Sequence, residues 1–398
     1  MPRVLRILNR LTIGGPLLNA AYLTKYLAPE FETMLLVGDR EQHETDAAFV
    51  TDGLGIRPVY VPEMGRSIDP RRDYLAYKKV QAIIRSFQPD IVHTHAAKPG
   101  AVGRMAARAC KVPVVVHTYH GHVFHSYFNK AKTRFILSAE RYLGRLSDAI
   151  IAISEAQRQE LAVDFRIAPE AKFHVVPLGL DLDKFQHGQT EKRRQFRQEF
   201  GVGDDTVVVS IIGRLVPVKN HGLFLAGLRQ VLAGSKRHVK AFIIGDGETR
   251  SQLEAQASAL GIAFSTQQDS AHGHPLVFTS WRSDVDRIMA GSDIIALTSL
   301  NEGTPVSLIE AQAANRPVVS TRVGGIADIV AEGHTGLLSD VQDVQGFAAN
   351  LLALVENEAL RQRLGNNGAA HVMQRFSYQR LVRDMSALYQ QLLNQQKP

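Results

Sequence analysis

Four side chains have the types and spacing to hold a phosphorylated, hydroxyl-rich ligand. Glu302 and Glu310 stand with seven residues between them in DIIALTSLNEGTPVSLIEAQAANRPVVST, residues 293 to 321. A strand is expected to end at Thr298, and Pro305 to open a helix, where its missing N–H would be unpaired in any case. The start of that helix leaves backbone N–H groups free at Thr304, Val306 and Ser307, with Gly303 allowing close approach, and so suits a diphosphate. Carboxylates only accept hydrogen bonds, so Glu302 and Glu310 suit paired sugar hydroxyls: a transferred hexose for the first, a ribose for the second. In SIIGRLVPVKNHGLFL, Arg214 and Lys219 lie five apart on a strand-to-helix loop, placing a planar fork and a compact ammonium at one diphosphate. Taken alone, the glutamates also read as a cap carboxylate and a helix-surface acid, and the cations as solvated charges.

Further windows repeat the pattern of strand, loop and helix. FIIGDGETR offers backbone N–H groups and a carboxylate at Gly245 and Asp246, although a β-turn explains GDG equally well. FTSWRSDV places Trp281 and Arg282 beyond another strand, as base contacts or as packing. NRLTIGGPLLNAAYLTKYL sets Gly14 and Gly15 between a strand and its helix, where backbone can approach an anion. It is not G-x-G-x-x-G, which argues against a nicotinamide dehydrogenase. Histidines gather in HTHAAKPG and HTYHGHVFH: His93 and His95 on one face of a strand, then His117, His120, His122 and His125 on the next strand and its loop. Imidazole ligates metals, but no metal-site spacing is present, so these read as hydrogen-bonding residues and no metal is assigned. Lys98 and His95 are read as acceptor-side contacts together with Gly14.

Continuous apolar runs alternating with helical text are expected to position these residues. VLRIL, Thr33 to Gly38, RPVYV, DIVHTH, VPVVVHTYHG and AIIAIS alternate with helices from about Leu17, from about Arg71, at Val102 to Cys110 and from Arg134 to Leu146. The rhythm restarts with TVVVSIIGR, VKAFIIGDG, PLVFTS, DIIALTS and PVVST. Unbroken apolar strands between helices indicate parallel sheets covered on both faces. The fold class is α/β, with two facing Rossmann-like, doubly wound domains at 1–180 and 181–375 and an active site in the cleft between them. The segment 376–398 reads as an amphipathic helix with Leu381, Met385, Leu388 and Leu392 at helical spacing, returning to the first domain.

Composition bounds the class of protein. At 398 residues the chain is too long for one ordinary core. Its single cysteine, Cys110, excludes an internal disulfide and any multi-cysteine metal cage, so a reducing cytoplasm fits best. No apolar run approaches the length of a membrane span. The net charge of +7 lies wholly in residues 1 to 180, which hold 24 Lys and Arg against 17 Asp and Glu, while the rest is balanced. Clusters at Arg71-Arg72, Lys78-Lys79 and Lys130, Lys132, Arg134 suit an anionic membrane surface at the inner face, with an ordinary solvated face as the alternative. No nucleic-acid module or basic stripe with interleaved aromatics is seen.

The residues Glu302 and Glu310 with seven between them, together with GGP, HTYHGH, GLDLDKF, GRLVPVKN, GDGE and LGNNGAAHVMQRFS, resemble glycosyltransferase family 4 through most of the chain. The text around the histidines is similar to that of bacterial members building capsule, exopolysaccharide or O-antigen. The resemblance implies a GT-B fold and a retaining hexosyl transfer from a nucleotide sugar, UDP-linked by family frequency, to a saccharide or lipid-linked acceptor, with no metal or other cofactor. It assigns leaving-group stabilisation to Arg214 and Lys219, the sugar to Glu302 and His120, and the ribose to Glu310. Around these it places the donor at Gly15, Gly245, Asp246, Arg282, Gly303, Thr304, Pro305 and Val306. A sugar-nucleotide epimerase of the same architecture, or a non-catalytic two-lobed binding protein, are the alternatives.

Overall fold

The computed structural model describes residues 1–12, 14–39, 46–65, 69–121, 130–266 and 273–396. They form two units, Met1–Leu180 with Phe376–Pro398, and Asp181–Arg375. In the first unit the apolar runs become β1 (Arg3–Leu8), β2 (Glu32–Gly38), β3 (Val59–Val61), β4 (Ile91–His95), β5 (Val114–Tyr119), β6 (Ala149–Ala152) and β7 (Phe173–Val175). They pair in the order β3-β2-β1-β4-β5-β6-β7, all parallel. The second unit repeats the plan with β8 (Val207–Ile212), β9 (Val239–Ile244), β10 (Phe264–Ser265), β11 (Leu276–Thr279), β12 (Ile294–Leu297), β13 (Val318–Thr321) and β14 (Gly336–Ser339). Their order is β10-β11-β9-β8-β12-β13-β14, again parallel.

In both sheets the strand order reverses beside the first strand, between β1 and β4 and between β8 and β12. Loops leaving such neighbours toward opposite faces open a crevice at their carboxyl ends, the usual ligand position in doubly wound sheets. The strands are rich in β-branched residues and buried on both sides. Val209, Ile211, Ile243 and Ala296 pack under the helices with Phe224, Leu228 and Phe347, while Val208, Phe242 and Ile244 face Phe196 and Phe200.

The closing helix, Tyr378–Gln395, lies on the first unit. Leu381, Met385, Leu388, Tyr389 and Leu392 share a core with Val4, Leu23, Ile91 and Val114. The chain is tied there by Leu180 N–H donating to Phe376 O at 2.8 Å and Tyr378 N–H donating to Leu180 O at 3.0 Å. Arg380 adds bonds to the carbonyls of Pro177 and Leu178 at 2.6 and 2.9 Å.

Two local expectations are corrected. The helix placed at Val102 to Cys110 begins at Ala97, because Ala96 turns the chain at φ +67° directly after β4. Pro305 is the residue before the helix Val306–Ala313 rather than its first: its ψ of 105° is extended, so helical geometry starts one position later.

Candidate active site

Lys219 and Glu302 meet at the β8–β12 reversal, and the loops that carry them are stitched together. After β8 the chain makes a short turn at Pro217–Lys219, and Asn220, at φ +47°, redirects it into the helix His221–Gly234. The buried Thr298 hydroxyl lies 3.2 and 3.0 Å from the carbonyls of Lys219 and Asn220, and Leu300 N–H donates to Val218 O at 2.8 Å. Lys219 Nζ then donates to Glu302 Oε1, which also accepts from Ser299 Oγ at 2.5 Å. Ser299 is itself held by Thr321 Oγ1, which donates to its carbonyl at 2.7 Å. Gly325 N–H donates to Glu302 O at 3.0 Å, and at Gly324, with φ +48°, a Cβ would lie 1.9 Å from that oxygen. Only glycine lets this backbone close over the Glu302 loop. Ser299, Thr321 and Gly324 were not singled out in the sequence; the Gly-Gly pair after a strand was the one signal available.

Glu310 sits in the second turn of Val306–Ala313 and makes no hydrogen bond through its carboxyl among the described residues. Burial is the main cause that raises its pKa to about 7; Lys184 opposes the rise and Asp286 adds to it. A half-buried carboxyl with no partner among the described residues, one turn beyond the helix start, is suited to a hydroxyl pair. Gly303 and Thr304 lie on the connecting loop, with Pro305 and Val306 at the helix start, where the first N–H groups have no partner within the helix. Arg214 is exposed on the Lys219 loop, and its guanidinium makes no ion pair among the described residues.

Two donor-side expectations change. Arg282 does not reach toward Lys219 and Glu302. Its guanidinium is clamped by Glu199 at 2.5 and 3.1 Å and by Asp284 at 2.9 and 2.6 Å, over the rings of Phe196 and Phe200. That side chain is spent on internal structure. Gly245, at φ +139°, is required because a Cβ would lie 2.0 Å from Gly213 O, where the β8 and β9 loops lace together. Asp246 Oδ1 accepts from Gly247 N–H at 2.8 Å and Oδ2 pairs with Arg250 at 3.3 Å, so its carboxylate holds its own turn.

In the first unit Gly14 and Gly15 stand at the start of the helix Gly15–Tyr26 after β1. The adjacent β4 and β5 carry a ladder of histidine rings: His93 stacks on His95 with centroids 4.3 Å apart, and His95 on His120 at 5.2 Å. His95 Nδ1 and His120 Nε2 are hydrogen-bonded at 2.9 Å. His93 Nδ1 meets Tyr389 Oη at 2.5 Å and its Nε2 meets Thr118 Oγ1 at 2.7 Å. His117 is bonded to Thr94 at 2.8 Å. Burial holds all four imidazoles neutral, His120 at a pKa of about 3. His95 is thus enclosed behind His120 rather than presented to an acceptor. Lys98 is paired with Asp73 at 2.5 Å, so its ammonium is held by the neighbouring helix instead of standing free. His122 and His125 lie outside the described residues. Among the described residues no three His, Cys, Asp or Glu side chains gather as a metal site, and no helix is long and apolar enough to cross a membrane.

Two doubly wound parallel sheets, each with polar residues gathered at its reversal point, define the GT-B class of glycosyltransferase. Residues 192–371 match the family model of glycosyl transferases group 1, and residues 14–184 that of Glycosyltransferase Family 4. The chain belongs to this family. It is 27% identical over 335 residues, 84% of each chain, to UDP-Gal:alpha-D-GlcNAc-diphosphoundecaprenol alpha-1,3-galactosyltransferase of Escherichia coli. It is 24% identical to the capsular polysaccharide biosynthesis glycosyltransferase CapM of Staphylococcus aureus, over 84% of this chain and 87% of that one. In fold it matches Anabaena HepE, solved in complex with UDP and glucose, with a TM-score of 0.80 at 20% identity over 98% of this chain and 100% of that one.

Proposed function

We propose that this glycosyltransferase moves a hexosyl group, with retention of anomeric configuration, from a UDP-linked donor to a hydroxyl of a lipid-linked saccharide during cell-surface polysaccharide synthesis. The observation that carries the reading is the meeting of Lys219 with Glu302 at the β8–β12 reversal, beside the free helix start at Val306. A cation suited to a departing phosphate there adjoins a carboxylate suited to sugar hydroxyls, which supports the reading. The E. coli relative, whose name specifies a UDP-linked sugar and a diphosphoundecaprenol acceptor, supports the choice of substrates. So does HepE, solved with UDP and glucose.

Arg214, Lys219 and the N–H groups at Thr304, Val306 and Ser307 hold the diphosphate, Glu310 the ribose, and Glu302 and His120 the hexose. The bond from the anomeric carbon to the phosphate oxygen breaks, the acceptor oxygen bonds to that carbon on the same face, and the departing phosphate takes the acceptor proton. Charge gathers on the phosphate, where preorganised cations and N–H groups act most strongly. No covalent nucleophile or metal ion takes part. Incubating the full chain with a panel of UDP-hexoses, EDTA and an undecaprenyl-diphosphate saccharide tests this by yielding an α-linked product. A changed sugar in donor-only incubations would instead mark an epimerase.

The outer layer of the first unit supports a membrane-facing role. The helices Pro70–Phe87, Ala97–Ala109 and Lys130–Arg145 expose Tyr74, Leu75, Met105, Phe135 and Tyr142, interleaved with Arg71, Arg72, Lys78, Lys79, Arg134, Arg141 and Arg145. Their two acids, Asp73 and Glu140, are paired with Lys98 and Arg104. Basic residues around exposed rings suit an anionic interface.

A further inference from the structure

We propose that His95 is a positioning residue for His120. The hydrogen bond from the buried His95 ring to His120 Nε2 fixes the His120 imidazole so that Nδ1 alone is left for a sugar hydroxyl. The inference rests on the reading that His120 meets the transferred sugar. His95 is fully enclosed, and the two open nitrogens of this bonded pair, His95 Nε2 and His120 Nδ1, are buried without a hydrogen-bond partner among the described residues. The ladder beneath is set from one end. Arg6, buried in β1 with no carboxylate partner among the described residues, can only donate, and its Nη2 does so to Tyr389 Oη at 3.1 Å. Tyr389 therefore gives its proton to His93 Nδ1, which leaves His93 Nε2–H to donate to Thr118 Oγ1. His95 stacks on a ring whose tautomer is already decided.

The groups that act on His95 are His93 from β4, His120 after β5, Arg6 from β1 and His117 from β5, while Arg104 from Ala97–Ala109 bears on His117 and Tyr389 from the closing helix on His93. Burial disfavours a further proton on both rings, with His93, His120 and Arg6 adding to it at His95, so both stay neutral and share one proton across the 2.9 Å bond. A neutral pair always offers one donor and one acceptor at its two open nitrogens. His120 acts here as an oriented hydrogen-bonding group and not as a general acid. The backbone supports the same position: Ala96, next to His95, is held at φ +67°, a conformation unfavourable for a residue with a Cβ.

The test uses the full chain with UDP-hexose and its saccharide acceptor. His95→Asn carries a side-chain amide where Nδ1 stood and should keep kcat within about threefold, whereas His95→Phe fills the space without the bond and should lower kcat about tenfold at an unchanged donor KM, the scale of one hydrogen bond. Equal losses in both folded variants, or wild-type kcat in His95→Phe, would overturn the proposal. If neither variant folds, nitrogen-15 spectra of the wild-type histidines decide: one neutral His120 tautomer from about pH 5.5 to 8.5 is expected, and a titrating or mixed His120 overturns it. His120→Ala tests the underlying reading separately: normal transfer there would remove the sugar contact itself, whatever the His95 variants do.

Discussion

Lys219 and Glu302, 83 residues apart in sequence, are each other's counter-ion, and the carboxylate oxygen that takes the ammonium also takes the Ser299 hydroxyl. The pair fixes an ammonium and a carboxylate side by side at the β8–β12 reversal. On the proposed roles, a donor diphosphate would compete for Lys219 with that oxygen, freeing Glu302 for sugar hydroxyls.

Lys219→Ala removes a charge-assisted bond to the phosphate. UDP affinity is expected to fall about tenfold or more, and turnover by at least about a hundredfold, since the leaving charge is largest in the transition state. The loss also leaves the mostly buried Glu302 without its counter-ion, so a modest fall in melting temperature should accompany it. Calorimetric titration and initial rates on the same preparation check both.

Glu310 gives donor binding a pH dependence of defined sign. Its pKa is raised to about 7 by burial, and a ribose diol is best accepted by the ionised form. UDP should bind more tightly as pH rises through about 7, with proton release, and Glu310→Gln should flatten that profile. The folded-state pKa exceeds the ordinary 4.5, so the stability that this group contributes is complete below 4.5 and is lost as pH rises through about 7. Urea midpoints of wild type and Glu310→Gln should therefore converge in acid.

Arg282→Ala should act on stability and not on donor recognition. The guanidinium ties Glu199 to Asp284, and its loss leaves two mostly buried carboxylates short of their cation, with Arg287 still on Glu199 at 2.5 Å. A loss of about 2 kcal/mol is expected, with the donor KM unchanged within about twofold. A large rise in KM at unchanged stability would return Arg282 to the donor site.

The outer layer of the first unit predicts binding to phosphatidylglycerol vesicles that weakens with salt. Phe135→Glu with Tyr142→Glu should abolish it without lowering transfer to a short, water-soluble acceptor. Equal partitioning onto phosphatidylcholine vesicles would contradict it.

The sequence showed clearly whatever depends on local pattern. Buried parallel strands such as β1, β5 and β8 read as unbroken apolar runs, and Leu381, Met385, Leu388 and Leu392 all lie in the core they were expected to fill. The arrangement of Lys219 beside Glu302 needed the strand order, which no local run encodes. The clamp on Arg282 was not legible because its partner Glu199 lies 83 residues away, and a guanidinium beyond a strand looks the same whether it meets a ligand or a carboxylate. His95 was read as an acceptor-side contact because alternation along β4 gives a face but not what covers it. The Arg6, Tyr389 and His93 chain was invisible for the same reason: Tyr389 lies 383 residues from Arg6 and 296 from His93.

The most direct test is Glu302→Gln, which keeps the shape and removes the charge. Lys219 loses its counter-ion, so UDP should bind as tightly as before or a few-fold tighter, while hexosyl transfer falls by at least about a hundredfold. Transfer at the wild-type rate would contradict the assignment of Glu302 to the sugar, and with it the account of how this glycosyltransferase works.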